Sequence, residues 1–210
     1  MTAAAVVAAF STFSTDLAFP LVAEALEFRH VTGFETGSNA VALVVRTGGG
    51  ALPGTVRTLE ALRVRASVAM TTPPSGAESA LLRSARLTPL PALGAGEFTS
   101  WVETRGQLRG LARRPGKAKS FLYLAPREGF TAGQFILARD LGGIPVEAAH
   151  TIRLGSEDPA GVHPGDVVVV ELPTNAASAK KLLIRAVVDL RKAGFRPSAL
   201  PIVAAATLSG

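Results

Sequence analysis

Ala40-Val41-Ala42-Leu43-Val44-Val45 is an unbroken apolar run followed closely by Gly48-Gly49-Gly50, and a second apolar stretch spans Asp166 to Leu172. Runs of this length bounded by turn residues read as strands covered on both faces, because a strand with one wet face alternates in polarity. Such strands need helices around them, and the intervening sequence supplies them. Pro53 to Val64 opens with a proline and sets Val56, Leu59 and Leu62 against Arg57, Glu60 and Arg63, as an amphipathic helix does. Ser75, with Glu78 three residues on, forms a capping box for a helix running through Arg86. Glu97 to Leu111 and Thr131 to Leu141 read as helices, the second stopped by Gly142-Gly143, and Thr174 or Asn175 caps a helix through Ala193 that ends at Gly194. Residues 65–70, 87–93, 121–125, 144–146 and 196–203 read as extended. Strands alternating with helices predict a parallel sheet or barrel with right-handed crossovers, in one α/β domain.

Composition closes several chemistries. The chain has no cysteine, which excludes thiol catalysis, disulfides, cysteine zinc sites and iron–sulfur clusters. Its three histidines, at 30, 150 and 163, permit neither a closely spaced histidine pair nor a His-Glu-x-x-His helix. The net charge of +6 and pI near 10.5 suit a polyanionic partner, although an arginine-rich, lysine-poor composition also follows from codon bias. The densest basic stretch is 105–119, where Arg105, Arg109 and Arg113 align on one face of a helix. That face is either solvated or a grip for phosphate or uronate groups, and the nearby Trp101 either packs on the core or stacks on a sugar. With no nucleic-acid motif and poor aromatic interleaving, nucleic acid is not the expected partner. Gly48-Gly49-Gly50 lacks the spacing of a nucleotide-binding loop.

Residues 1–37 are expected to form a helical extension packed on the domain, or to be the remnant of a leader, with the domain itself over 38–210. Asp16, Pro20 and Glu24 interrupt the apolar start, so no spanning helix is expected there. Without a clear signal peptide, the expected compartment is the cytoplasm.

The order of segments over residues 38–203 resembles the NodB-type polysaccharide deacetylases. The resemblance rests on Val41-Ala42-Leu43-Val44-Val45-Arg46-Thr47-Gly48-Gly49 followed by Val64-Arg65-Ala66-Ser67-Val68-Ala69. In the middle, Phe121 to Gly129 precedes Ala138-Arg139-Asp140-Leu141-Gly142. Near the carboxyl end, His163-Pro164-Gly165-Asp166-Val167-Val168-Val169-Val170-Glu171-Leu172 precedes a helix closed by Lys192-Ala193-Gly194-Phe195-Arg196. The resemblance implies a distorted (β/α) barrel of about seven parallel strands, carbohydrate chemistry, and a place at the cell envelope. It also implies a divalent metal, typically zinc, that activates water against an acetyl group.

The chemical positions depart from that pattern. The family's aspartate pair falls on Arg46 and Thr47, the arginine that orients the base on Leu124, and the late catalytic histidine on Glu171. Its paired histidines belong between Pro89 and Glu103, where this chain has none. The expectation is therefore a deacetylase-like protein without the family metal or any other cofactor, serving in carbohydrate binding, scaffolding or regulation. Its ligand-binding candidates are Arg46, Thr47, Glu171, Trp101, Arg105, Arg109 and Arg113, with Arg46 and Glu171 either an ion pair or separately solvated. A hydrolase with a relocated site around Glu147, His150 and Glu171 is one alternative, and a basic module for polyanions is another. His150 and His163, joined by Glu157 and Asp158, match no familiar metal spacing.

Overall fold

In the computed structural model of the chain, the described residues are 31–34, 38–47, 52–93, 121–126, 143–156 and 161–200. The elements are β1 (Ala40–Arg46), α1 (Leu52–Ala61), β2 (Ser67–Met70), α2 (Gly76–Ser84), β3 (Thr88–Pro91), β4 (Phe121–Leu124), β5 (Gly143–Val146), β6 (His150–Ile152), β7 (Val167–Glu171), α3 (Ala176–Lys192) and β8 (Arg196–Ser198). The expected class holds: this is an α/β fold in which the described strands pair in parallel. Among the described residues there are eight short strand segments, in keeping with an expectation of about seven. The helices expected over 97–111 and 131–141, with Trp101, Arg105, Arg109 and Arg113, lie outside the described residues, as does most of the expected amino-terminal extension.

The main sheet runs β3-β2-β1-β7-β6, and β4 pairs with β5. An Ala92–Leu124 bridge joins the β3 end of the main sheet to β4. Residues 31–34, assigned from sequence to the extension, are drawn into the sheet instead. Val31 bridges Val146 of β5, and Gly33 bridges Asp166 at the start of β7. The main sheet and the β4–β5 pair are thus joined by short bridges rather than by ladders. One edge of β1 is shared: Ala40–Ala42 pair with β8, and Val44–Arg46 pair with β2.

Period-two alternation divides β1 between two cores. Val41, Leu43 and Val45 pack outward with Val168 and Val170 against Val56 and Leu59 of α1 and Leu182, Leu183, Ala186, Val187 and Leu190 of α3. Ala40, Ala42 and Val44 turn inward with Leu90, Leu124, Val146, Val167 and Val169. Alanine suits the inner positions because strands converging on a barrel interior leave little room there.

All three described helices end alike, with a left-handed residue and a bond from the next apolar residue back to the last turn. The left-handed residues are Arg63 (φ 52°), Arg86 (φ 55°) and Gly194 (φ 87°). The amides of Val64, Leu87 and Phe195 donate to the carbonyls of Leu59, Leu82 and Leu190 at 3.1, 2.9 and 2.9 Å. This ending satisfies orphan carbonyls and points the chain straight into the following strand. The Arg191 guanidinium of α3 donates to the Leu62 carbonyl at 2.9 Å, adding a partner at the end of α1. The capping box read at Ser75 is present in full, with both the Ser75 and Glu78 side chains engaged. Asn175, not Thr174, caps α3, its side chain accepting from the Ser178 amide at 3.0 Å. β8 stops at Ser198, short of the strand expected to reach Val203.

Candidate functional site

The carboxyl ends of β1 and β7 lie side by side, Arg46 in register with Glu171. Both residues continue the inward-facing series of their strands, Ala42, Val44, Arg46 and Val167, Val169, Glu171. They open onto a cavity of about 300 Å³ whose wall includes Leu124, Glu147, Thr151, Arg153 and Ser156 as well as Arg46 and Glu171. Within it the Arg46 guanidinium donates to the Ala125 carbonyl at 2.6 Å and stands 3.8 Å from the Glu171 carboxylate. Glu171 is 6% exposed, against 20% for the Arg46 side chain. The two residues read from sequence as an ion pair or as separate solvated groups are thus an ion pair. Leu124 is buried in the wall, while Thr47, half-buried, does not line the cavity.

Sequence reasoning missed Thr151, Arg153 and Ser156. They belong to β6 and to a tight turn in which Arg153 and Ser156 exchange backbone hydrogen bonds at 3.1 and 3.0 Å, with Gly155 at φ 83°. Alternation over His150-Thr151-Ile152-Arg153 was the available signal, since Thr151 and Arg153 share one face.

The relocated site around Glu147, His150 and Glu171 is not assembled. Glu147 and Glu171 share the cavity, but His150 is placed elsewhere. His150 pairs in register with Val168, an outward-facing residue, so the pleat turns its ring away from the barrel interior. There its Nε2 lies 3.1 Å from Oδ2 of Asp166. The same oxygen accepts the His163 amide at 2.7 Å and lies 3.7 Å from the His163 ring Nδ1. The sequence reading joined both histidines to Glu157 and Asp158, which lie outside the described residues. The acid that the structure brings to them is Asp166.

The cavity side chains can be tested against the metal that the fold family implies. Among the described residues, its walls offer two carboxylates, Glu147 and Glu171, two guanidiniums, Arg46 and Arg153, and no histidine. A guanidinium bears permanent positive charge and no lone pair to donate, so it repels a divalent cation. Arg46 also engages the Glu171 carboxylate. This donor set does not fit a divalent metal.

No family model matches the sequence, and no curated protein matches it. Solved structures do match. A peptidoglycan N-acetylglucosamine deacetylase superimposes with a TM-score of 0.64 at 14% identity, over 88% of this chain and 96% of that one. A chitin deacetylase from the fungal pathogen Colletotrichum lindemuthianum gives 0.58 at 16% identity, over 83% and 91%. A CE4 family pseudoenzyme from Bacillus anthracis gives 0.58 at 16% identity, over 81% of this chain and 66% of that one. A mutant of that pseudoenzyme has restored enzymatic activity, and its structure matches with a TM-score of 0.59 at 15% identity, over 81% and 69%. The chain therefore has the fold of the CE4 carbohydrate esterases, the NodB-type deacetylases, a fold that active enzymes and a pseudoenzyme share.

Proposed function

We propose that this protein binds carbohydrate at the carboxyl-end cavity and does not carry out the metal-dependent deacetylation for which its fold is known. The observation that carries this reading is the Arg46–Glu171 pair, which puts a fixed cation and its counter-ion at the carboxyl ends of β1 and β7. Among the described residues, arginine and glutamate in equal number give the cavity strong donors and acceptors with no formal net charge. A neutral, hydroxyl-rich ligand matches that arrangement better than a polyanion does. The volume lies at the small end of the range for ligand pockets, which suits a single sugar unit rather than a long chain. Among the described residues no helix is long and apolar enough to cross a membrane.

The test is calorimetric titration with N-acetylated chitooligosaccharides and acetylated xylooligosaccharides, run beside an acetate-release assay with and without added zinc. The reading expects saturable binding of one of these sugars, weakened by Arg46→Ala, and no acetate above background. Metal-stimulated acetate release would overturn it, and so would the lack of binding to every acetylated sugar.

A further inference from the structure

We propose that His150, His163 and Asp166 form a binding site for a divalent transition metal, zinc by donor type, at the amino end of the barrel on its outer face. Asp166 immediately precedes β7, whose last residue is Glu171. Five residue steps of extended chain separate them, about 16 Å along the strand, and the pleat puts the two side chains on opposite faces. This site is therefore independent of the cavity and of the function proposed for it.

One donor atom from each of the three residues lies within 4.8 Å of the others. Zinc bonds to imidazole nitrogen and carboxylate oxygen of about 2.0–2.2 Å set the edges of a tetrahedral donor cage near 3.4 Å. The two distances to Asp166 Oδ2, 3.1 Å from His150 and 3.7 Å from His163, fall on either side of that value. The side chain of His163 is 79% exposed, so it can turn the rest of the way without disturbing the core. Hydrogen bonding alone does not account for the cluster. The His163 amide and the His150 ring already approach Oδ2 at 2.7 and 3.1 Å, and at 3.7 Å the second imidazole is too far to form a hydrogen bond. Two imidazoles converging on one carboxylate oxygen is a geometry that a shared cation explains.

The surrounding backbone holds the donors in place. Gly165, at φ 91°, donates to the Ala40 carbonyl at 2.7 Å and accepts from the Phe34 amide at 3.0 Å. Val162 is buried beneath the same loop. The His163 amide fixes the carboxylate orientation, the part that supporting hydrogen bonds play around metal ligands. Two histidines and one carboxylate leave a fourth position open for water or a further ligand. Bound metal would clasp the start of β6 to the loop ahead of β7.

The experiment uses the tag-free full chain after chelator treatment. Expected are one equivalent of zinc by calorimetry and elemental analysis, a rise in melting temperature with zinc, and the visible spectrum of tetrahedral cobalt on cobalt substitution. His163→Ala, at an exposed position, folds normally by circular dichroism and weakens zinc binding at least about tenfold. Asp166→Asn does the same, and if it fails to fold, His163→Ala carries the test alone. Arg46→Ala leaves zinc affinity unchanged. The proposal is overturned if zinc does not bind saturably at micromolar concentration, or if zinc binding survives His163→Ala undiminished.

Discussion

Arg46→Met is the sharpest probe of how the carboxyl-end cavity is held together, because it keeps the aliphatic stem and deletes the charge. At 3.8 Å and an effective dielectric constant of 20, the Arg46–Glu171 attraction amounts to about 4 kcal/mol. The bond to Ala125 adds about 1.5 kcal/mol, as expected for a charged donor. Against these stands the desolvation of two charged groups, one buried and the other one-fifth exposed to the cavity. The balance puts the loss for Arg46→Met at about 2–3 kcal/mol, with the buried carboxylate of Glu171 left beside a thioether. Glu171→Gln should cost a similar amount. If the two charges act on each other, the double variant loses less than the sum, by a coupling of about 2 kcal/mol. Urea unfolding of the wild type, both single variants and the double variant measures this coupling, provided the denaturant slope stays constant. Additive losses, with a coupling below about 0.5 kcal/mol, would refute the claim that this pair organises the cavity.

Arg86 occupies a left-handed conformation at the end of α2, so Arg86→Gly should stabilise the fold by up to about 1 kcal/mol in urea unfolding. Gly165→Ala should destabilise it by more than about 2 kcal/mol, because φ is 91° and a Cβ would collide with the Phe34 carbonyl. Tyr123 is the only tyrosine in the chain, so ultraviolet phenolate absorbance reports on it alone. Burial holds its hydroxyl protonated well above the ordinary phenol range, so phenolate should not form while the protein stays folded. The unfolded chain releases this proton from about pH 10 upward and the folded chain does not, so stability falls as pH rises past that point. Phenolate absorbance rising before the loss of circular dichroism would show that the ring is reachable by water.

What the sequence made readable is what lies close along it. The Ser75–Glu78 box spans three residues and needs no tertiary knowledge. The run from Val41 to Val45 and that from Val167 to Val170 announce their double burial through composition alone. Arg46 and Glu171 could be placed together because parallel neighbouring strands bring their carboxyl ends to one place. The histidine cluster was half legible. Its two histidines were noticed, but Asp166 was read only as the first residue of an apolar strand. Asp166 reaches His163 through the turn at Pro164-Gly165, and reaches His150 only because β6 pairs with β7. β6 itself went unread: three residues with one buried apolar side chain, Ile152, carry too little pattern to stand out. Residues 31–34 give no sign in their own sequence that they bridge β5 and β7, since that pairing depends on partners more than a hundred positions away.

The divided edge of β1 also bears on how the protein is made. This strand lies inside the sheet, yet it leaves the ribosome long before two of its three neighbours. β7, which pairs with Ala42–Arg46 on one side, and β8, which covers Ala40–Ala42 on the other, both come from residues after 166. At 5–20 residues per second, roughly 120 residues of further synthesis leave Val41–Leu43 without a strand neighbour, and Val44–Val45 with β2 alone, for about 6–24 s. Throughout that interval the nascent chain carries its most apolar segment with a bare hydrogen-bonding edge, a template for pairing with other chains. The barrel thus closes only once its last strands are made, and a chain stalled before Val167 would be one for chaperones to hold.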